Sequence, residues 1–239
     1  MEQEVYKRHI KNQNTHWWFT ARREIIFYFI NSLKSKKLRI LDFGSGSGTN
    51  VRMLAKFGNV DIFETNPEAK KYLKRVYNNK KNINVIQKIS KKKYDFILAA
   101  DVIEHIKNDK KILKQFFEYL KKDGHILITV PAYQFLFSSK DKALKHYRRY
   151  TKSNLASLIK NFFSIKKLSY FNFLLFIPIA LSILIFKLRK ENFIGYVETT
   201  PNIIINRILK NIFSIEKFLL KMINFPFGIS ILLLAQKND

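Results

Sequence analysis

The stretch Arg39-Ile40-Leu41-Asp42-Phe43-Gly44-Ser45-Gly46-Ser47-Gly48-Thr49 decides the fold. Residues 39–43 read as a buried strand. The three glycines at alternate positions after it form a turn where backbone can pass close beneath a ligand that any side chain would strike. Residues 50–57 read as the following helix, so the whole is the opening of a βαβ unit. A dinucleotide fingerprint puts its third glycine at position 49, which is Thr49 here, and this weakens a nicotinamide reading. Asp42, at the strand end, disfavours a pyrophosphate and suits a cationic ligand.

Working outward, a second strand over 59–64 ends on Glu64, 22 residues after Asp42. That is close to the roughly 20-residue interval at which an acid grips ribose hydroxyls. Asn66 can cap, and Pro67 open, a helix reaching residue 78. Strands over 83–87, 94–100 and 125–131, with a helix over 109–121, continue the alternation and predict a mainly parallel sheet covered by helices. Before the sheet, residues 6–33 read as helices whose buried stripe holds Trp17, Trp18, Ile25, Ile26, Phe29 and Ile30. After Pro131 the period breaks over 132–150, a substrate-side loop. A helix (152–161), a strand (163–170), an apolar run (171–186), a polar connection to Pro201, an amphipathic helix (202–223) and a last strand (229–236) follow. The expected architecture is a Rossmann-like, doubly wound α/β domain. Its mainly parallel seven-stranded sheet carries an antiparallel last strand with a partly apolar helical insertion before it. Residues 1–37 form a helical cap, 38–131 the cofactor-binding core and 132–239 the substrate side.

Of 239 residues, 47% are hydrophobic, enough apolar surface to offset folding entropy and exclude wholesale disorder. With 44 Lys and Arg against 18 Asp and Glu, the net charge is +26, which draws the chain toward anionic nucleic acid or lipid surfaces. Lys, Asn, Ile and Phe are all abundant, a pattern that AT-rich coding also produces. The chain has no cysteine, so disulfides, thiolate metal sites and a thiol nucleophile are excluded. The acidic start, Met1-Glu2-Gln3-Glu4, lacks the apolar core of a signal peptide, and the expectation is a cytoplasmic protein.

The chain resembles the class I S-adenosylmethionine-dependent methyltransferases. Their first motif matches Asp42, Gly44, Ser45, Gly46 and Gly48, and their ribose-binding acid matches Glu64, with Thr65 beside it. Tyr94 to His105 resembles that family's fourth strand and turn, and Gly124 to Pro131 its fifth strand. The resemblance implies S-adenosylmethionine as cofactor, with Asp101 and Val102 near its sulfonium and methyl group. One branch is particularly similar. It carries a His-Trp-Trp-Phe element (His16 to Phe19, then Arg22 and Arg23), a His-Tyr-Arg-Arg-Tyr element (His146 to Tyr150) and a Pro-Phe-Gly-x-Ser strand (Pro226 to Ser230). Members resemble methyltransferases of lipids, quinones or glycoconjugates. Adenine usually meets an acid after the third strand. Gln87-Lys88-Ile89-Ser90 offers none, which leaves that contact to the Gln87 amide or to backbone near Ile89.

Methyl transfer from a sulfonium is an in-line displacement that needs alignment and exclusion of water, and no metal is expected. An oxygen acceptor benefits from a general base, and His146 is the first candidate, with His105 second. Exposed-loop and capping roles are the plainer readings of the two. Arg148 and Arg149 suit a phosphate or carboxylate on the acceptor. Tyr147 and Trp18 are placed with them on the substrate side, Trp18 either as part of a lid or as a core anchor. The apolar run 171–186 is too short to span a bilayer. With Lys166 and Lys167 before it and Lys187, Arg189 and Lys190 after it, it suits either an anionic membrane surface or a buried cover for the sheet. The expected acceptor is a small molecule or a lipid-linked one, methylated at oxygen. Two rivals remain. One is an RNA methyltransferase, although the Asn-Pro-Pro-Tyr type motif of base methylation is missing and no specific nucleic acid is expected. The other is a non-catalytic membrane-associated protein that has kept the fold.

Overall fold

A computed structural model describes residues 3–33, 37–189 and 199–238. Its strands are β1 (Leu38–Phe43), β2 (Gly58–Phe63), β3 (Ile83–Ile86), β4 (Tyr94–Ala100), β5 (Leu120–Pro131), β6 (Phe163–Phe171) and β7 (Ser230–Lys237). They form one sheet in the order 3-2-1-4-5-7-6. The pairs from β3 to β5 are parallel, and β7 runs antiparallel between β5 and β6. β2 and β3 lie on one side of β1, and β4 starts the other half. The strand order therefore reverses between β1 and β4, where a crevice opens at the strand ends.

The helices are α1 (Gln3–Asn12), α2 (Trp17–Ser32), α3 (Val51–Leu54), α4 (Pro67–Tyr77), α5 (Asp109–Tyr119), α6 (Ser139–Ala143), α7 (Lys152–Ile159), α8 (Phe176–Leu188) and α9 (Ile203–Met222). Ile40, Leu41, Phe96, Ile97, Leu98, Ile126, Leu127, Ile231 and Leu232 are fully buried. Each such side chain contributes about 1.5–3 kcal/mol of apolar burial, so the continuous apolar runs of β1, β4, β5 and β7 account for their central places.

α4 forms as the sequence predicts: the Asn66 side chain accepts from the backbone N–H of Glu68 and Ala69, and Pro67 occupies the first turn. The expected helix over 50–57 is shorter, because the chain must enter β2 directly beside β1. A Cβ at Gly58 would lie 2.0 Å from the Leu38 carbonyl oxygen. The fifth strand starts five residues earlier than expected. Leu120 is buried and already pairs with Tyr94, so the Asp123-Gly124 turn becomes an irregularity within β5. The apolar run 171–186 divides: Phe171 ends β6, and α8 begins at Phe176 with Pro178 in its first turn, where a missing N–H costs nothing. Lys190 and the connection over 190–198 lie outside the described residues, as do the first two residues.

α2 and α9 pack together. Asn206 joins them: its Oδ1 accepts from the Trp17 backbone N–H at 2.8 Å and its Nδ2 donates to the Thr15 carbonyl. The Trp18 ring stacks on Phe213, 5.2 Å between centroids, and Glu24 bridges Lys210 and Lys217.

Candidate active site

The glycine turn caps the crevice. Gly44, Gly46 and Gly48 all have positive φ, which glycine alone adopts without strain. A Cβ on Gly44 would lie 2.8 Å from a Val102 methyl, so Val102 underpins the turn. Around Gly46 nothing lies within 4 Å of that position. Glu64 fixes the turn from the side: one carboxylate oxygen accepts from the Gly46 N–H at 2.7 Å and the other from the Asn66 N–H at 2.8 Å.

Asp42 is 2% exposed, and burial pushes its carboxyl up to about 7, against a hydrogen bond donated by the Ser45 hydroxyl at 2.5 Å. Asp101, at the end of β4, accepts from the Arg22 guanidinium and from the Thr129 hydroxyl. Arg22 is itself buried under the Trp18 and Phe19 rings. Arg23 reaches the carbonyls of Gln13 and Thr49. The His-Trp-Trp-Phe element and its two arginines thus dock α2 onto the rim of the crevice.

The crevice continues into a cavity of about 450 Å³. Asp42, Gly44, Ser45, Gly46, Asp101, His105, His146, Arg149 and Trp18 line it, as do Arg22, Glu104 and Asp141. Its far wall is apolar: Ile179, Ile183 and Phe186 from α8, Leu209 from α9, and Ile229. Of the residues predicted from sequence, Gly48, Glu64, Thr65, Val102, Tyr147 and Arg148 stand outside this lining, and so do Gln87 and Ile89. Glu64, expected from sequence to grip a ribose, has one oxygen on the Gly46 N–H of the turn and the other on the Asn66 N–H.

The His-Tyr-Arg-Arg-Tyr element meets the turn after β4. The Tyr147 N–H donates to the Glu104 carbonyl at 2.8 Å. The Arg148 guanidinium donates to the Asp109 carboxylate at 2.6 Å and to the Lys107 carbonyl, and the Tyr150 hydroxyl reaches Asp109 at 3.0 Å. The Arg149 fork closes on both oxygens of Asp141, at 2.9 and 2.8 Å. The two guanidiniums expected to meet an acceptor anion are therefore engaged within the chain, because each has an aspartate facing it that the sequence places far away or in another period. Trp18 stacks on Phe213, as a core anchor does, and also lines the cavity.

His146 and His105 come together, their rings edge to face at 4.4 Å. Nδ1 of His146 is 2.9 Å from Asp141 Oδ1, which leaves Nε2 as the ring's other nitrogen. Burial would raise Asp141, but the hydrogen bonds from His146 and Arg149 hold it well below the usual carboxylate range. Burial, then the neighbouring His146, lowers His105 to about 3, so that ring is neutral. Glu104 escaped the sequence reading. It is fully buried at the 3-10 turn Ile103–His105, burial pushes it up to about 8, and among the described residues neither carboxylate oxygen has a hydrogen-bond partner. Its only signal in the sequence is an acid next to His105 and three residues after Asp101.

The chain compares with known proteins as follows. It is 26% identical over 163 residues to a ubiquinone biosynthesis O-methyltransferase of Pelagibacter ubique, covering 58% of this chain and 66% of that protein, which is just under two thirds of the relative's length. Among solved structures, a putative sarcosine dimethylglycine methyltransferase from Galdieria sulphuraria superposes with a TM-score of 0.60 at 18% identity, covering 91% of this chain and 86% of that one. A Burkholderia thailandensis 1,6-didemethyltoxoflavin-N1-methyltransferase, solved with its acceptor and S-adenosylhomocysteine, gives 0.55 at 13% identity, covering 92% and 79%. These likenesses show the fold. The model of a methyltransferase domain matches residues 8–171, more than half of the chain. The chain belongs to the methyltransferase domain family.

Proposed function

We propose that the chain transfers a methyl group from S-adenosylmethionine to an oxygen of an amphiphilic small-molecule or lipid-linked acceptor. The observation that carries this reading is the cavity itself. A glycine turn and a buried carboxylate stand at one end, an imidazole pair lies beside them, and an apolar wall from α8 and α9 faces them. The ammonium of the donor's amino-acid moiety suits Asp42, which a cation in contact would return to its ionised form. The open space at Gly46 takes the nucleoside, and Glu64 holds the turn that receives it. With Nδ1 committed to Asp141, Nε2 of His146 is the atom that takes the acceptor's proton. As the acceptor oxygen bonds to the methyl carbon, the carbon–sulfur bond breaks and sulfur leaves as a neutral thioether.

Membrane attachment belongs to the same reading. Ile177, Leu181, Ile185 and Leu188 form an exposed stripe on α8, and Ile204, Ile208, Ile215, Phe218 and Met222 form one along α9. Other residues of both helices line the cavity, so an acceptor held in a lipid surface has a short path inward. No described helix is long and apolar enough to cross a membrane.

The test uses methyl-labelled S-adenosylmethionine with three acceptors: an alkyl-chain phenol, its amine analogue and bulk tRNA. Label in the phenol ether supports the reading, whereas label confined to the amine or to tRNA overturns it.

A further inference from the structure

Among the described residues the Glu104 carboxylate makes no hydrogen bond. The Arg22 and Arg149 guanidiniums favour its ionised form through space, but each is paired elsewhere, Arg22 with Asp101 and Arg149 with Asp141. A buried carboxylate without a donor is costly, so a wholly enclosed one that lines a ligand cavity asks for a cation. Two imidazoles stand beside it, and ligand atoms of Glu104, His105 and His146 all lie within 4.8 Å of one another. Each ring has one nitrogen committed elsewhere: Nδ1 of His146 to Asp141, and His105 to the Leu144 backbone. The second nitrogen of each supplies one lone pair. Asp141, clamped by Arg149, stands behind His146 as the outer carboxylate commonly found behind a metal-ligating histidine.

We propose that Glu104, His105 and His146 bind one divalent transition-metal cation in the wall of the cavity. One carboxylate and two imidazoles suit a zinc-, manganese- or iron-type ion and leave coordination positions open. The inference rests on reading this cavity as the place of methyl transfer, and it changes how the acceptor is activated. An acceptor hydroxyl bound to the cation becomes acidic: its O–H bond breaks and the proton passes to solvent water. The oxygen then forms its bond to the methyl carbon while the carbon–sulfur bond breaks, the electron pair staying on sulfur. In the loaded site His146 is a ligand, and its proton-accepting role is confined to the metal-free protein. The proposal departs from the expectation from sequence that no metal takes part, since nothing in the chain order shows that positions 104, 105 and 146 converge.

The experiment titrates the chelator-treated full-length chain with Zn²⁺ by calorimetry and with Co²⁺ by visible absorption, and titrates S-adenosylmethionine separately into the same preparation. The expected result is one ion per chain, a Co²⁺ ligand-field band, and at least a tenfold loss of affinity in both Glu104→Gln and His105→Asn. Circular dichroism checks that the variants are folded, and the wild-type stoichiometry and band decide the matter if they are not. No bound ion in the wild type, or unchanged affinity in both folded variants, overturns the site. Metal binding without binding of the methyl donor would instead overturn the reading of the cavity and leave the cation site standing.

Discussion

Asp42 sets the electrostatics of the crevice. In the free protein burial holds its carboxyl up at about 7, so it carries a proton over much of the acidic range. The linkage follows from the sign of that shift. Because the folded value lies above the unfolded one, the folded state holds the extra proton between them, and this group's contribution to stability falls as pH rises toward 7. A cationic donor favours the ionised form, so below pH 7 its binding must release the proton. Affinity for S-adenosylmethionine should therefore strengthen as pH rises from 6 to 8. Calorimetry in buffers of different ionisation enthalpy should show protons leaving on binding at pH 6. Asp42→Asn should bind more weakly and lose the dependence; a flat profile in the unchanged protein would remove the carboxylate from the account. At this scale the positions of the glycine turn, Asp42 and Glu64 at the ends of β1 and β2 were legible, because short spacings along the chain set them. The pairs Arg22 with Asp101 and Arg149 with Asp141, and the cluster around Glu104, were not, since each joins elements whose approach depends on the fold.

Among the elements, the loop carrying His146 is held by a buried charge cluster around Asp141 as well as by the buried Leu136, Leu144 and Tyr150. Asp141 is almost fully buried, accepts from the Ser138 backbone N–H, and receives the Arg149 fork and the His146 ring. Asp141→Asn leaves a buried guanidinium without its partner, and a loss of about 3–5 kcal/mol is expected, the size seen when one member of a buried ion pair is removed. Urea denaturation at pH 7 measures it. Because the folded Asp141 value is depressed, the stability it contributes is present above the ordinary carboxylate value and is lost as pH falls below it. The gap between the two proteins should narrow in acid, and an equal gap at pH 3 and pH 7 would contradict the pairing. The α2–α9 contact gives a smaller prediction: Asn206→Ala removes both hydrogen bonds to the Thr15–Trp17 turn and should cost about 1–3 kcal/mol in the same assay. Most elements were visible in the sequence through period and caps, as with Asn66 and Pro67 before α4. Their ends were less so. α3 is cut short by the close approach at Gly58, and β5 starts early through the Leu120 pairing with Tyr94.

For the whole molecule, the proposed membrane attachment has the net charge of +26 and the exposed apolar stripes of α8 and α9 acting on the same partner. Lysines near a membrane surface contribute about 1 kcal/mol each toward anionic lipid, while isoleucines that enter the interface make the attachment less dependent on salt. Flotation with anionic vesicles should carry the chain at low salt, with part of it remaining at moderate salt. Ile204→Glu with Ile208→Glu should remove the remaining part. Absence of the unchanged chain from the vesicle fraction at low salt would end the membrane reading. The apolar run over 171–186 was plain in the sequence. Which of its side chains face the cavity and which face outward was not, because α8 is apolar on nearly every side and its sequence has no polar face to orient it.

The central claim is that a sulfonium nucleoside lies across the backbone at Gly44 to Gly48, and it is tested most directly by calorimetric titration of S-adenosylmethionine into the unchanged chain and into Gly46→Arg. The account predicts one bound molecule per chain in the first and none in the second, whose side chain fills the space left open beside Gly46. No binding to the folded unchanged chain, or equal binding to both proteins, would contradict it.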